Sequence, residues 1–309
     1  MADDRSEKLL KNKTFWIRTL SGFIMSCILI AIFVIGYDVM FVALLLLSIF
    51  AMFEFNRALK LGWSAINFVG YSAIIAHYMF LRFVVASADN RKAEDAAAID
   101  LGSAFLEKVD SIYIILIYAM ALIVMLAFFV FTFPRYSALQ VFGSFFGVFY
   151  TGVPISFLYL LRIFPPSGAY LVWLAVFSSW GCDIFAYLFG MTLGKHQLVP
   201  KLSPNKSVEG AIGGIAGAVC LGVAYGFIVQ KYVPDIRNAP LIFGVFCFFG
   251  ALVSQIGDMA ASAIKRKLEI KDYGKILPGH GGILDRFDSM IIVAPITYLI
   301  SIYAMLFKS

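Results

Sequence analysis

Charged residues are scarce in this chain. Asp, Glu, Lys and Arg make up 14% of its 309 residues, whereas they form about 25% of a typical soluble domain. Hydrophobic residues make up 61%. This balance excludes an ordinary soluble globular protein and indicates an integral membrane protein, in which lipid covers much of the apolar surface.

Cysteine and histidine are also few, which argues against one common kind of site. The four cysteines lie inside apolar runs without the paired spacing of metal ligands, so we interpret them as small core residues. The three histidines do not have the spacing of a zinc site either. A zinc centre is therefore not expected, and the chemistry must come from other residue types.

Long apolar runs divide the chain into membrane spans. A helix needs about 20 residues to cross a bilayer core of about 30 Å. Nine such runs cover residues 18–36, 38–55, 66–86, 111–133, 139–164, 170–194, 210–233, 241–265 and 286–307. The sequence thus predicts an all-α polytopic membrane protein with about nine transmembrane helices. The first run is not expected to be a cleaved signal peptide, because its charged lead is long and no clear small-residue cleavage site follows it.

Lys and Arg are distributed unequally between the two sides of this arrangement. With the N-terminus inside, alternate loops place 17 of the 25 Lys and Arg residues on the inner side, and cytoplasmic loops carry such an excess. We therefore expect a cytoplasmic N-terminus, an external C-terminus, and loops 195–209 and 265–286 both on the cytoplasmic face. The net charge of +6 indicates a surface that faces anionic lipid or phosphate, and nothing beyond its sign supports nucleic-acid binding.

The two halves of the chain differ in character, so we divide it into two regions. Residues 1–164 are apolar spans with one polar loop at 87–110, to which we assign no chemistry. Residues 165–309 carry most of the charged and small polar residues inside spans and are expected to be catalytic. A carboxylate at membrane depth costs roughly 3 kcal/mol and persists only with a partner, an ion or water. Asp183 and Asp258 therefore mark a functional cavity between neighbouring helices.

One predicted helix carries polar residues along a single face. They follow one another at spacings of three or four residues, and they are Ser254, Asp258, Ser262 and Lys265. Small polar residues in membrane helices serve close packing in many proteins, and this alternative stays open for the two serines. For Asp258 the insertion cost favours a place in a polar cavity.

Asp285 and Asp288 are three residues apart and share a face if a helix begins there. Two carboxylates at a helix start can chelate a hard cation such as Mg²⁺, and Asp258 is a candidate third ligand. In the alternative, both aspartates cap the helix and complement its dipole. Arg286 between them is a candidate partner for an aspartate or a phosphate.

A glycine-bearing turn at residues 278–282 precedes this pair of aspartates. Gly281 and Gly282 offer backbone N–H groups that a phosphate can approach closely. Such turns are commonly only turns, and His280 is equally a hydrogen-bonding turn residue. Taken alone, this motif leaves both interpretations open.

A second polar segment begins at Asp183. This residue shares a helical face with Tyr187, so it is expected to open onto the same cavity as Asp258. The following loop supplies hydroxyl and charged groups to the same side of the membrane, from Ser203, Lys206, Ser207 and Glu209. In the alternative, the Ser-Pro pair is a simple turn, and Ser207 or Glu209 only helps to start the next helix.

The stretch at residues 262–288 resembles the signature of phosphatidate cytidylyltransferases, also called CDP-diacylglycerol synthases. The matching residues are Ser262, Lys265, Arg266, Lys271, Asp272, residues 277–282, Asp285, Arg286 and Asp288. Residues 183–210 are also similar to this family, with Asn205 where a second lysine is common and Val208 where an aromatic is common. The first half of the chain matches only as a set of spans.

The resemblance implies that phosphatidate attacks the α-phosphorus of CTP, giving CDP-diacylglycerol and pyrophosphate. It implies a Mg²⁺ centre at Asp258, Asp285 and Asp288, with a second cation left open. It implies catalytic roles for Ser262, Lys265, Asp285, Arg286 and Asp288. It also implies that nucleotide or lipid phosphate is bound near Asp183, Ser203, Lys206, Ser207, Glu209, Gly281 and Gly282.

The expected partners are CTP, phosphatidate and the membrane, without nucleic acid, and a homodimer is left open. Nucleotidyl transfer suits these residues, because it needs neutralised phosphate charge and in-line positioning rather than a covalent intermediate. The compact chain favours a bacterial plasma membrane over a eukaryotic endomembrane, with the active site facing the cytoplasm.

Two other functions compete with this interpretation. An ion-coupled transporter would distribute polar residues toward both membrane faces, which this sequence does not do. A kinase that transfers phosphate from CTP to a lipid alcohol would need a base for its hydroxyl nucleophile. The signature at residues 262–288 favours the cytidylyltransferase over both.

Overall fold

The computed structural model describes residues 2–94, 111–163, 166–200, 202–277, 279 and 281–306. Within these ranges the chain forms nine helices. They are α1 (Ala2–Ile35), α2 (Tyr37–Ala58), α3 (Ala65–Glu94), α4 (Ser111–Phe131), α5 (Ala138–Ile163), α6 (Gly168–Leu193), α7 (Val208–Val229), α8 (Ala239–Lys267) and α9 (Leu284–Leu306). A 3₁₀ turn at Gln230–Tyr232 extends α7.

The helices α2 to α9 are each long and apolar enough to cross a membrane. The apolar part of α1, Thr19–Ile35, is shorter. The predicted helical polytopic membrane fold is confirmed. The number of spanning helices, about nine in the prediction against eight such helices among the described residues, and the side on which each terminus lies stay predictions. Of the polar loop predicted at 87–110, residues up to Glu94 continue α3, and residues 95–110 lie outside the described residues.

Burial separates the helices that face lipid from those that form the centre. In α4, only 17% of the most apolar 18-residue stretch is buried, although this stretch has the highest mean hydropathy of the eight spans, 3.0. In α5 and α9, 56% of the corresponding stretch is buried. Since α4 gains little from protein contacts, it lies at the lipid-facing edge, while α5 and α9 pack near the centre of the bundle.

The second-half helices α6 to α8 approach one another closely through small residues. A Cβ atom added at Gly222 of α7 would lie 2.6 Å from Cys247 Sγ and 2.7 Å from the Phe243 carbonyl oxygen, both on α8. Small residues allow this approach in lipid, where helices associate through packing and hydrogen bonds. The packing places the polar faces of α6 and α8 on opposite sides of one cavity.

Two helices are interrupted by π-helical segments, Val148–Gly152 in α5 and Phe177–Gly181 in α6. A π-turn inserts a residue into the helical register and is frequently found at functional sites. The segment in α5 carries Tyr150, and the segment in α6 ends just before Asp183. Both interruptions therefore adjoin residues that surround the polar centre described below.

The loop at 195–209 contains a β-hairpin, which the sequence did not predict. Strand β1 (Gln197–Val199) pairs antiparallel with β2 (Ser203–Ser207). Glu209, at the start of α7, accepts hydrogen bonds from the backbone N–H groups of Lys195 at 3.1 Å and His196 at 3.2 Å. The Glu209 carboxylate also lies 2.6 Å from Nδ1 of His196. These bonds close the hairpin onto the helix.

Candidate functional site

A cavity of about 430 Å³ lies between α6, α8 and the hairpin, and we call it the hairpin cavity. Its polar lining comes from Asp183, Ser203, Asn205, Lys206, Ser207, Gln255 and Asp258. Lys206 Nζ forms an ion pair with Asp258 Oδ2 across it. The hairpin thus carries a cation into the space that the two membrane-depth aspartates share.

Asp285 organises the turn that precedes α9. Its buried carboxylate accepts a hydrogen bond from Lys265 Nζ at 2.8 Å through Oδ1. Through Oδ2 it accepts bonds from the backbone N–H groups of Tyr273 at 2.8 Å and Gly282 at 3.0 Å. A buried carboxylate with a cation and two backbone donors is well satisfied. Asp285 therefore ties α8, the α8–α9 loop and the start of α9 together.

The glycine turn has a backbone shape that explains its sequence. Gly281 has a φ of +88°, which side chains with a Cβ rarely adopt. Leu277 N–H donates to the Gly281 carbonyl at 2.9 Å, which closes the turn. Pro278 and His280 lie outside the described residues. Because the Gly282 N–H already donates to Asp285, this N–H is not free for a phosphate in the present arrangement.

Asp288 lies one turn into α9 and is buried. Its Oδ1 accepts the N–H of Ser289 at 2.8 Å. The charges of Asp258 and Asp183 repel that of Asp288, whereas the charge of Lys265 attracts it. A Cβ atom added at Gly257, the residue before Asp258, would lie 3.1 Å from the Asp288 carbonyl oxygen, so the start of α9 packs against α8 beside the hairpin cavity.

Arg286 follows Asp285 and supplies a second cation near the start of α9. Its carbonyl accepts a hydrogen bond from Trp180 Nε1 at 3.1 Å. Its Nε is buried and has no partner among the described residues. The Arg286 charge attracts that of Asp183. A phosphate or a carboxylate would satisfy such a buried guanidinium N–H.

Of the remaining predicted residues, Ser207 and Glu209 make hydrogen bonds within the fold, whereas Ser203 and Ser262 are half-buried. Ser207 caps α7, because its Oγ accepts the Gly210 N–H at 3.1 Å. Glu209 binds the backbone before β1 instead, and a role of either residue in binding substrate stays a prediction. Ser203 is half-buried in the hairpin cavity. Ser262 is half-buried on α8, one turn after Asp258.

The predicted metal ligands are not gathered into one cluster. In the described ranges, no three His, Cys, Asp or Glu side chains come close enough to hold a metal ion. Asp285 is occupied by Lys265 and two backbone donors. Asp258 and Asp288, however, interact electrostatically, and Mg²⁺ is usually held by one or two carboxylates plus water and substrate phosphates. Their carboxylate oxygens fit such a cation if Asp258 exchanges its partner Lys206 for the ion, and the metal centre stays a prediction.

Glu54 of α2 is a residue that the sequence analysis missed. Its side chain is fully buried, and its Oε2 accepts the Leu284 N–H at 2.8 Å. The signal was present, because Glu54 lies inside an apolar run where a carboxylate is costly. The same insertion cost marks Asp183 and Asp258 in the second half of the chain.

Tyr150 was missed as well. It is buried in the π-helical segment of α5, and its hydroxyl has no hydrogen-bond partner in the part of the chain that the structure describes. The charges of Asp288, Asp258 and Asp285 act on this hydroxyl, in decreasing order. No spacing rule would have selected it, since Tyr150 is distant in sequence from all three aspartates.

Tyr273 supports the loop from beneath Lys265. Lys265 Nζ lies 5.4 Å from the centre of the Tyr273 ring, a cation–π distance. Burial raises the pKa of Tyr273, so the phenol stays protonated. Its hydroxyl donates to the Ala261 carbonyl at 3.3 Å. Tyr273 thus attaches the α8–α9 loop to α8 through its side chain and to Asp285 through its backbone N–H.

Known proteins share this sequence over long segments. Phosphatidate cytidylyltransferase of Rickettsia bellii is 41% identical over 157 residues, which cover 50% of this chain and 67% of that protein. The Bacillus subtilis protein of the same name is 38% identical over 151 residues, 49% of this chain and 54% of its own length. For the Thermotoga maritima protein of that name, the figures are 40% over 146 residues, 46% and 53%.

These alignments span about half to two thirds of the relatives' own lengths. A family-level match covers far more of the chain. Residues 16–304 match the cytidylyltransferase family, and this range includes α2 to α8 and most of α9. The resemblance drawn from the signature is confirmed, and the chain belongs to the cytidylyltransferase family, as a nucleotidyltransferase embedded in the membrane.

Proposed function

We propose that the protein transfers the cytidylyl group of CTP to phosphatidate, giving CDP-diacylglycerol and pyrophosphate. The observation that carries this proposal is the meeting of signature carboxylates and cations from α8, α9 and the hairpin around one polar space. Family membership and relatives named phosphatidate cytidylyltransferase support it. In this reaction a phosphate oxygen of the lipid bonds to the α-phosphorus of CTP, and the bond to the β-phosphate oxygen breaks.

The cations around the hairpin cavity suit the triphosphate. Lys206 lines the hairpin cavity, Lys265 on α8 pairs with Asp285 at the start of α9, and Arg286 has a buried guanidinium nitrogen without a partner among the described residues. Neutralising phosphate charge and holding the reacting groups in line are the main requirements of phosphoryl and nucleotidyl transfer. We assign the triphosphate to Lys206 and Arg286, and we place the lipid phosphate nearer to Lys265.

No strong general base is needed at this site. The attacking group is an anionic phosphate rather than a hydroxyl, so no proton has to leave before the bond forms. This agrees with a site whose carboxylates are paired with cations or backbone N–H groups. A lipid-alcohol kinase would require a free base near its nucleophile. The family match supports neither the kinase nor the transporter considered above.

We propose that Asp258 and Asp288 hold Mg²⁺ together with phosphate oxygens of the substrates. When bound, the ion would stabilise the charge that develops on the transferred and leaving phosphates. Asp285 would support this arrangement from its place in the turn, and a second cation stays open. The mutual repulsion of Asp183, Asp258 and Asp288 is the feature that a cation would relieve.

We also propose that the site faces the cytoplasm, where CTP is available. The excess of Lys and Arg in the loops on its side supports this orientation. The acyl chains of phosphatidate would stay in the hydrocarbon while the headgroup reaches the polar centre. A bacterial plasma membrane is favoured by the bacterial relatives. A homodimer stays open, and nucleic acid is not a proposed partner.

The proposed reaction is tested with purified protein, radiolabelled CTP, phosphatidate and Mg²⁺. Thin-layer chromatography should show a CTP-derived liponucleotide that requires both the lipid and the protein. If no such product forms across several detergents and divalent ions, the proposed function is wrong. Diacylglycerol in place of phosphatidate is the matched control, because it tests the kinase alternative in the same assay.

Removing divalent ions should abolish turnover. Because three carboxylates that repel one another adjoin the proposed triphosphate site, EDTA is expected to reduce liponucleotide formation to background. Excess Mg²⁺ should restore the rate, whereas Na⁺ at equal ionic strength should not. Full turnover after exhaustive chelation would contradict the assignment of a cation to Asp258 and Asp288.

The cation of the hairpin is expected to contribute to CTP affinity. Lys206→Met removes one charge-assisted contact, worth about 1.5–3 kcal/mol, so the KM for CTP should rise about tenfold or more. Lys195→Met is the matched control, since Lys195 is exposed at the same loop and does not line the hairpin cavity. Steady-state kinetics with varied CTP give the comparison. An unchanged KM in Lys206→Met would contradict this role.

A further inference from the structure

Glu54 is a buried acid in the half of the chain to which the sequence analysis gave no chemistry. It lies in α2, where its side chain has no exposed surface. Its Oε2 accepts the N–H of Leu284, the first residue of α9, at 2.8 Å. The positive end of a helix dipole favours a carboxylate at this place. Glu54 therefore caps α9 from another helix.

The α8–α9 loop is shaped around this carboxylate. A Cβ atom added at Gly274 or at Gly282 would overlap the carboxylate of Glu54. Both residues are buried, so neither position can move freely into solvent. The loop thus contacts Glu54 near its middle, at Gly274, and near its end, at Gly282. The signature residue Asp285 binds the backbone N–H of Gly282 from the other side, at 3.0 Å.

Stability alone does not account for this acid. A carboxylate in a membrane helix is costly, and its Oε1 has no hydrogen-bond partner among the described residues. The charge of Asp285 repels that of Glu54, while Arg57 attracts it. Replacing a whole buried ion pair by apolar residues of similar volume is often neutral or stabilising, so a buried charge is weak evidence of a role in stability. The cost of Glu54 is therefore offset by what it does for the loop.

We propose that Glu54 is a positioning residue that sets the place of the glycine turn and of the first turn of α9. By fixing Leu284 and Gly282, it fixes the carboxylates of Asp285 and Asp288 relative to the cations of α8. It acts through these groups and does not contact the substrates. This inference rests on the proposed function for its kinetic test, but not for its structural test.

The experiment compares Glu54→Leu and Glu54→Gln with the wild-type protein in detergent. Leucine fills the space without an acceptor, so kcat should fall about 10²-fold, as expected when reacting groups are slightly misplaced. The KM values for CTP and phosphatidate should change less than about threefold, because uniform binding is retained. Glutamine keeps an acceptor for the Leu284 N–H, so its kcat should stay within about tenfold of wild type.

Ser48→Ala is the matched control. Ser48 lies in the same helix and is also fully buried, but its hydroxyl bonds to Tyr78, 2.9 Å away, and not to the α8–α9 loop. This variant removes a buried polar group from α2 without affecting the loop. Its kcat and KM values should match those of the wild-type protein.

Hydrogen exchange measured by mass spectrometry supplies a readout that does not depend on activity. Peptides covering residues 272–290 should exchange faster in Glu54→Leu, while peptides from α7 should not change. Ser48→Ala should leave residues 272–290 at the wild-type rate. A structural role in overall stability would instead raise exchange throughout the bundle.

Each outcome decides the proposal. If Glu54→Leu keeps kcat within about threefold of wild type, or changes KM rather than kcat, the positioning role is wrong. Unchanged exchange at residues 272–290, or faster exchange in every helix, also overturns it. If the wild-type protein makes no liponucleotide, the proposed function fails, and the exchange comparison still tests Glu54 by itself.

Discussion

Replacing Asp285 with asparagine is expected to reduce kcat/KM by about 10²–10³-fold, because the turn that positions the reacting groups loses its anchor. The asparagine side chain has one acceptor oxygen, whereas Asp285 uses two. Either Lys265 or the paired N–H groups of Tyr273 and Gly282 would then face an amide NH₂ group. The turn before α9 would lose its register, and the phosphate site would be lost with it.

Two further variants separate chemistry from folding in this prediction. Glu269→Gln also removes one carboxylate charge, at an exposed position of the same loop that is not among the matching signature residues, and it should retain nearly full activity. Lys265→Met in the Asp285→Asn background removes the unpaired cation, so the thermal midpoint should recover while the rate does not. A rate for Asp285→Asn within about tenfold of wild type would contradict the role assigned to this turn.

Asp288→Asn is expected to leave the fold intact while it lowers kcat by about 10²-fold or more, the loss expected when a group acts mainly in the transition state. The Ser289 N–H can still donate to the asparagine oxygen. Repulsion by Asp258 and Asp183 would disappear, so the thermal midpoint should hold or rise. The Mg²⁺ concentration for half-maximal rate should increase, because one proposed ligand is neutral.

Kinetics and thermal unfolding measured on the same preparation check both parts of this expectation. Asp38→Asn is the matched control, since Asp38 at the start of α2 pairs with Arg82 at 2.7 Å on an exposed surface. Its rate and Mg²⁺ dependence should be those of the wild-type protein. If Asp288→Asn keeps the wild-type Mg²⁺ dependence, Asp288 is not a ligand of the ion.

Much of the fold could be predicted from hydropathy alone. Every predicted span overlaps a helix of the structure, because apolar runs near the bilayer thickness leave few alternatives. The hairpin was not predicted, because its strands are short and polar and it is held by Glu209, which binds a backbone segment before β1. The π-helical segments in α5 and α6 also have no clear sequence signature.

The candidate site was predictable where its residues are local in sequence. Asp285 and Asp288 share a helix, and Asp183 and Asp258 are each costly acids in apolar runs. Their hydrogen-bond partners were harder to predict, since the pairing of Asp285 with Gly282 and Tyr273 depends on how the α8–α9 loop folds back. The predicted division into regions 1–164 and 165–309 stays a prediction, although Glu54 and Tyr150 connect the first region to the centre.

Tertiary contacts across the sequence explain what the spacing rules could not find. Glu54 bonds to Leu284 across most of the chain, and Tyr150 interacts with aspartates on α8 and α9. Helical periodicity relates only residues a few positions apart. Glu54 could have been selected by its insertion cost, whereas Tyr150 carries no such signal in an aromatic-rich chain.

The phosphorus of CTP that is transferred to the lipid identifies the reaction most directly. Wild-type protein is incubated with phosphatidate, Mg²⁺ and CTP labelled at either the α- or the γ-phosphorus, and lipid and aqueous products are separated. We expect the α-label in the liponucleotide and the γ-label in pyrophosphate, with both signals lost in Asp285→Asn. A γ-label in the lipid product, or no label in any lipid, would contradict cytidylyl transfer at this site.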